Sequence, residues 1–216
     1  MGFNLNLRSR FLKSEIQFGN VDRPTTRNNS FEAAQFEVCN HKWSDMSETR
    51  YGVAVLNDCK YGISALDSDM RLTLMAPGCR PDPVTDNGIH YMRYAILPHI
   101  GPFDANNVTQ PAYSYNYHPI CLKGLVVTLI PLFQIDVSNV ICEAVKPAYN
   151  HRDAYVLRLY ECEGNHTIAN LNLDTAKRVY ITNFLEEIAG ELQICEEGKV
   201  NLRFNPFEIK TLLVMS

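Results

Sequence analysis

Apolar and polar positions alternate with a period of two along much of the chain, the pattern of strands that turn one face to a core. Met70-Arg71-Leu72-Thr73-Leu74 is one such run; Phe36-Glu37-Val38, Ile89–Leu97, Tyr155–Tyr160 and Phe207-Glu208-Ile209-Lys210 are others. Gly52–Leu56 and Leu125–Leu132 are apolar at successive positions, which predicts strands buried on both faces. Turn-forming residues punctuate these runs at Arg80-Pro81-Asp82-Pro83, Asp86-Asn87-Gly88, Gly101-Pro102, Glu163-Gly164-Asn165 and Glu197-Gly198. Only Ile181–Leu192 could hold a helical turn, and its short length and Gly190 argue against a helix. Many short strands at regular spacing predict an all-β protein of sandwich type with almost no helix.

A Tyr-, Asn- and Pro-rich stretch, Asn106–His118, reads as a long loop, and a boundary is expected near residues 122–126. The expected units are therefore 1–123, an incomplete β-sandwich segment, and 124–216, a small C-terminal β-sandwich. The first opens in strand-like sequence, Phe3-Asn4-Leu5-Asn6-Leu7, with no cap or leader. It is accordingly expected to show a long exposed strand edge and large apolar patches.

Composition narrows the function classes. With 46% hydrophobic and 20% charged residues, the 216-residue chain is ordinary globular sequence and can bury a real core. A formal charge of −4 supplies no basic field for nucleic acid or an anionic membrane. The longest apolar run, Gly124–Ile135, is interrupted by Pro131 and Gln134 and falls short of a membrane span. Seven cysteines (Cys39, Cys59, Cys79, Cys121, Cys142, Cys162 and Cys195) are widely spaced with no CxxC pair, indicating neither a structural zinc site nor a disulfide framework. Sequons at Asn28, Asn107 and Asn165 would matter only in a secreted protein, and no apolar signal segment opens the sequence. Asn6 stands where myristoylation would require Ser or Thr. The expectation is a reduced cytoplasmic protein that binds neither nucleic acid nor membrane.

The richest candidate for chemistry is Asn57-Asp58-Cys59-Lys60-Tyr61-Gly62, directly after a buried strand, where binding groups are commonly displayed. Asn57, Asp58, Lys60 and Tyr61 offer an amide, a carboxylate, an ammonium and a phenol, a set suited to hydroxyl-rich ligands. The same residues equally make an ordinary turn with solvated charges. Trp43 beside His41 and Lys42 could stack on a sugar ring, but a lone tryptophan near a strand is more often a core or interface anchor. His90 and His99, nine positions apart along one strand, cannot share a metal. His151-Arg152-Asp153 is an H-x-D triplet in a polar loop with no second ligand pair. H-E-x-x-H, G-x-S-x-G, P-loop and Rossmann patterns are absent. Cys59 would need a base beside it to act as a nucleophile, and no local pattern marks a catalytic carboxylate pair among the 24 acidic residues.

From about Phe3 onward the sequence resembles the C-terminal region of glycoside hydrolase family 38 α-mannosidases of the cytosolic type. The resemblance rests first on Glu15-Ile16-Gln17-Phe18-Gly19, Arg23-Pro24-Thr25, His41-Lys42-Trp43 and Tyr51–Gly62. It continues through Pro98-His99, Leu157-Arg158-Leu159-Tyr160-Glu161 and Pro206–Leu212. It implies the last part of a mutarotase-like β-supersandwich followed by a small β-sandwich. It also implies, for the complete enzyme, retaining hydrolysis of terminal α-mannosides by an Asp nucleophile, an Asp acid/base and a zinc-like divalent metal. The family carries those groups in an N-terminal catalytic domain, so this chain is expected to hold no catalytic residue and no metal. Its expected partners are that domain, in cis or in trans, and a mannose-containing glycan, with Asn57, Asp58, Lys60 and Tyr61 facing the cleft or the catalytic domain. Departures occur at Leu74-Met75-Ala76-Pro77, which lacks an arginine, and at Asn29, Phe31 and Glu32. The alternative is a stand-alone carbohydrate-binding or structural module with no enzymatic role.

Overall fold

The computed structural model describes residues 1–124, 131–173, 176–195 and 198–215. Residues 125–130 of the doubly buried run expected over Leu125–Leu132, and Glu197 of the expected Glu197-Gly198 turn, lie outside the described residues. The chain divides into two compact units, Met1–Pro119 and Ile120–Ser216.

In the first unit the alternating runs become strands β1 (Gly2–Asn4), β2 (Phe11–Ile16), β3 (Gly19–Pro24), β4 (Val38–Cys39) and β5 (Trp43–Ser47). β6 (Tyr51–Asn57), β7 (Gly62–Leu66), β8 (Asp69–Thr73) and β9 (Tyr94–Ile100) follow. They form two antiparallel sheets, ordered β1-β8-β7-β4 and β3-β2-β5-β6-β9. Residues from both sheets, among them Phe3, Leu12, Met46, Val53, Val55, Ile63, Met70 and Leu72, make one core. β6 pairs Val53 with Met46 and Val55 with Ser44, so these side chains share a face; Ala54 and Leu56, paired with Asp45 and Trp43, take the other.

That second face is buried by a helix. The stretch expected to be a loop instead forms a π-helical turn, Ala105–Thr109, running into helix α2 (Gln110–Asn116); a single turn, α1 (Ser30–Ala34), lies earlier in the chain. Val108 and Ala112 pack on Trp43, Ala54 and Leu56. Asp104 caps the start by accepting from the Asn107 N–H at 2.8 Å, and Pro111 sits in the first turn of α2, where no amide donor is needed. The apolar spacing of Ala105, Val108 and Ala112 is helical, but small residues among tyrosines and asparagines hide it. α1 opens with its N-cap Asn29 accepting from Glu32 N while Glu32 accepts from Asn28 N, one residue before the cap.

Two expected strands of this unit shift. Phe36-Glu37-Val38 contributes only Val38 to β4, and Ile89–Leu97 begins its strand only at Tyr94. His99 therefore lies inside β9 rather than beyond it. Its imidazole lies over Gly52 and its Nε2 meets Asp45 Oδ1 at 2.8 Å; the Ser47 hydroxyl donates to the other oxygen of Asp45. A Cβ on Gly52 would stand 2.5 Å from His99 Cε1, so glycine is required by close approach, not by backbone conformation. β9 is an edge strand that leaves Ile96 and Ile100 exposed, and Pro98 is tolerated there because an edge has a side with no ladder to serve.

The second unit holds β10 (Gln134–Ile135), β11 (Val140–Pro147), β12 (Ala154–Glu161), β13 (Thr167–Asn172), β14 (Arg178–Thr182), β15 (Ile188–Leu192), β16 (Lys199–Phe204) and β17 (Ile209–Met215). A three-stranded sheet, β10-β13-β16, faces a five-stranded one, β11-β12-β17-β14-β15, across a core that includes Leu157, Leu159, Leu171, Leu202 and Leu212. The ambiguous Ile181–Leu192 segment is the β14–β15 hairpin. Phe207 adopts a left-handed turn conformation (φ 58°), so the last strand starts at Ile209. Fully buried Glu161 closes this end of the unit. Its carboxylate accepts from the backbone N–H groups of Glu163, Gly164, Asn165 and Phe207 and from Asn139 Nδ2, all between 2.8 and 3.1 Å.

Candidate functional site

Asn57, at the end of β6, inherits the burial of that strand and has no exposed surface. Its Nδ2 donates to the His41 carbonyl at 2.6 Å, and its Oδ1 accepts from Lys60 N at 2.7 Å. This Asx-type turn shapes Asp58–Tyr61 and ties it to the β4–β5 connection. Asn116, near the end of α2, donates to the Asn57 carbonyl at 3.1 Å and to the Ala112 carbonyl at 2.9 Å. Asn57 thus fixes three connections at one end of the sheet, and its side chain is directed inward.

The other candidate residues reach the surface. Asp58 Oδ2 meets Arg93 Nε at 2.9 Å. Arg93 also lies 5.3 Å over the Tyr115 ring and places its Nη1 2.7 Å from His118 Nε2. A guanidinium only donates, so that imidazole nitrogen accepts. Burial pushes the Asp58 carboxyl up, but bonds from the Arg93 side chain, the Cys59 thiol and the Arg93 N–H outweigh it and hold its pKa below the usual range. The same bond to Asp58, with burial, raises the Cys59 thiol. Cys59 therefore stays protonated and is a poor nucleophile.

Beside the turn lies a concavity of about 490 Å³ lined by Gln17, His41, Lys42, Tyr61, Asn116 and Tyr117. Tyr61 is exposed, and its ring stands 5.0 Å from His41. Burial, then the Lys42 ammonium, lowers the His41 pKa. As the neutral imidazole it can accept from Gln17 Nε2, 3.4 Å from its Nε2. Lys42 is held by Glu15 at 3.3 Å and lies 4.5 Å over the Tyr113 ring. The walls thus present two phenols, two amides and a fixed cation, groups that bind hydroxyl-rich molecules by hydrogen bonding and ring stacking.

Trp43 takes no part in this surface. It is buried, with its ring stacked 4.7 Å from Phe103. His90 is exposed and meets the Asp86 carbonyl at 2.7 Å, away from His99 in its buried pair. His151-Arg152-Asp153 occupies the β11–β12 connection. Among the described residues no group of three or more His, Cys, Asp or Glu side chains could hold a metal ion. No helix among the described residues is long and apolar enough to cross a membrane. Sequence reasoning missed Arg93, Asn116, Tyr117 and His118. Helical spacing over Ala105–Ala112 is the signal that could have found the last three, because it carries α2 back over β6.

Comparison with known proteins gives this geometry a family. Residues 1–84 match the glycosyl hydrolases family 38 C-terminal domain, and residues 139–212 match the C-terminal beta sandwich domain of the same family. Asn57–Tyr61 falls within the first match, whereas Arg93 and the end of α2 lie between the two. Alpha-mannosidase 2C1 from Homo sapiens is 37% identical over 221 residues, which cover 99% of this chain and 21% of that protein. Alpha-mannosidase from Saccharomyces cerevisiae is 36% identical over 234 residues, covering 96% of this chain and 21% of that protein. The crystal structure of an alpha-mannosidase from Enterococcus faecalis V583 shares the fold over 100% of this chain and 25% of its own, with a TM-score of 0.77 at 17% identity. The chain spans about a fifth of the length of the curated relatives it matches. With both domain types present in order along one chain, it belongs to glycoside hydrolase family 38 and carries the C-terminal domains of that family.

Proposed function

We propose that this chain is the non-catalytic β portion of a cytoplasmic α-mannosidase that removes terminal α-mannosyl residues from oligosaccharides with retention of configuration. The catalytic carboxylates and a zinc-like divalent metal belong, on this reading, to an N-terminal catalytic domain joined in cis or docked in trans. The observation that carries the reading is the match to α-mannosidases along almost the whole chain. Tyr61 lines the concavity beside the β6–β7 turn, which supports a role at the glycan; Asp58 and Lys60, outside that lining, face the cleft or the catalytic domain on this reading, and Asn57 holds the turn from beneath.

The test is Asp58→Ala in the complete enzyme. A charged hydrogen bond contributes about 1.5–3 kcal/mol, and about 1.4 kcal/mol is a decade in rate. If the bond is realised at the transition state, kcat/KM falls at least about tenfold. Unchanged kcat/KM with a lowered melting temperature would mean that Asp58 only positions Arg93 and braces the turn. The chain alone should hydrolyse no aryl α-mannoside, with or without divalent metal; turnover abolished by Asp153→Ala would overturn the assignment. A second reading, a stand-alone carbohydrate-binding module, rests on the two phenols and two amides that line the concavity. Mannose binding to the isolated chain with no loss of catalysis in the Asp58 variant would select it.

A further inference from the structure

A second concavity of about 510 Å³ lies in the first unit and shares no lining residue with the one above. Arg8, Ser9 and Arg10 form one wall, Thr25 and Thr26 another, and Asp67 and Ser68 at the tip of the β7–β8 hairpin a third. The main chain ties these walls together. Asp67 N donates to the Thr25 carbonyl at 2.8 Å, Thr25 N to the Arg10 carbonyl at 3.1 Å, and Leu5 N to the Ser68 carbonyl at 2.9 Å. The cavity is therefore shaped before any ligand arrives, which lowers the ordering cost of binding.

Its polar groups fall into two sets. The hydroxyls of Ser9, Thr25 and Thr26 donate into the protein, to the Phe11 carbonyl, the Ser9 carbonyl and Glu32 Oε2 respectively. The lining side-chain donors that remain are the guanidinium groups of Arg8 and Arg10 and the hydroxyl of Ser68. Among the described residues neither guanidinium enters an ion pair. Two acids nearby are engaged elsewhere: Glu32 accepts from Asn28 N, Thr26 Oγ1 and Asn29 Nδ2, and Glu48 accepts from Arg8 N. Asp67 is the one acid in the cavity wall. It is exposed, and it is held in a left-handed turn conformation at φ 52°.

We propose that this concavity binds a sugar phosphate, its phosphate on the Arg8 and Arg10 guanidinium groups and its ring hydroxyls on Asp67 and Ser68. A bare oxyanion would satisfy the arginines but meet repulsion from Asp67. A neutral sugar would suit Asp67 and leave both guanidinium groups without an ion-pair partner, Arg10 keeping only its stack 5.9 Å over the Phe11 ring and the weaker pull of Glu32. A phosphorylated hexose answers both, since guanidinium groups bind phosphate bidentately and a carboxylate accepts hydroxyl hydrogen bonds. The volume lies within the range of small-molecule sites. The proposal is independent of the mannosidase reading.

Titration calorimetry on the 216-residue chain tests it, with mannose 6-phosphate, glucose 6-phosphate, mannose and inorganic phosphate as titrants. At least one hexose phosphate should bind at least about tenfold more tightly than inorganic phosphate, and mannose should give no heat from this site. Arg8→Gln with Arg10→Gln should weaken the hexose phosphate at least about tenfold. Asp67→Asn should weaken the hexose phosphate while tightening inorganic phosphate. All three residues are exposed, so Trp43 fluorescence melts of the variants should match the parent. Absence of binding, equal affinity for inorganic phosphate, or affinity unchanged in the double arginine variant would overturn the proposal.

Discussion

Glu161→Gln keeps the volume of a fully buried side chain and changes only its hydrogen-bonding pattern, so it isolates the part that carboxylate plays in the second unit. Oε2 accepts from Gly164, Asn165 and Phe207 N–H, and Oε1 from Glu163 N–H and Asn139 Nδ2. In glutamine one of these oxygens becomes an NH2 that faces donors. If the oxygen keeps the three-donor side, Glu163 N–H and Asn139 Nδ2 lose their acceptor; if it keeps the other, three backbone donors do. Each buried unsatisfied donor costs about 1–3 kcal/mol, so two cost about 2–6 kcal/mol before relaxation. For a unit of roughly a hundred residues, about 4–8 °C accompanies each kcal/mol, so the unit should melt at least about 8 °C lower. Trp43, the only tryptophan, lies in the first unit, so its fluorescence follows that unit. The second is followed by hydrogen exchange at Gly164, Asn165 and Phe207. These amides should exchange at least about thirtyfold faster in the variant. A melting shift under about 2 °C with unchanged protection would refute the reasoning, because the donors would then have found other acceptors.

Gly52→Ala should cost the first unit about 3 kcal/mol, read from the urea midpoint of Trp43 fluorescence, because the new Cβ would drive His99 off Asp45. His99 should titrate above its ordinary value of 6.5, since the Asp45 hydrogen bond raises its pKa against burial. Its folded pKa exceeds the unfolded one, so its contribution to stability is full below about 6.5 and fades as pH rises through the folded value. An NMR titration of its Cε1 proton with a midpoint below 6.5 would contradict this. Asn57→Ala should lower the stability of the first unit by about 2–3 kcal/mol, read from the same urea midpoint, by leaving the His41 carbonyl and the Lys60 N–H without their buried partner; an unchanged midpoint would show that the turn holds without it.

Strands were legible wherever one face meets a core, because a period of two survives any choice of side chain. Tyr155–Tyr160 and Met70–Thr73 are strands for that reason. The reading failed where geometry is set from a distance. α2 buries small residues under tyrosines and asparagines whose composition resembles a loop, and its cover over β6 is what makes Gly52–Leu56 apolar on both faces. The expected strand over Ile89–Leu97 started late because its apolar count ran on into an exposed segment holding Ile89 and Tyr91. At the candidate site the turn itself was legible, since Asn-Asp-x-Lys-x-Gly after a buried strand is turn chemistry. Arg93, which partners Asp58, comes 35 residues later, and no local pattern links the two.

Burial at the candidate site also separates two roles that the sequence presents as one. Asn57 and Asp58 are neighbours with similar polarity, yet β6 turns the first to the side of Val53 and Val55, into the protein, and the second toward solvent. The order follows from the strand: Ala54 and Leu56 already point at the helix side and Val53 and Val55 at the inter-sheet core, so the residue that ends β6 enters a space with no access to water. Only a side chain that both donates and accepts at short reach can end a strand there, and Asn57 does both, to the His41 carbonyl and from Lys60 N. The display of Asp58, Lys60 and Tyr61 is therefore a consequence of core packing. A substitution at Ala112 or Val108, remote from any ligand, would disturb the site through Asn116 and Asn57, because both residues pack on β6 and Asn116 bonds the Asn57 and Ala112 carbonyls together. Residues of the turn that touch water can vary with the ligand; the buried ones that aim them answer to the fold.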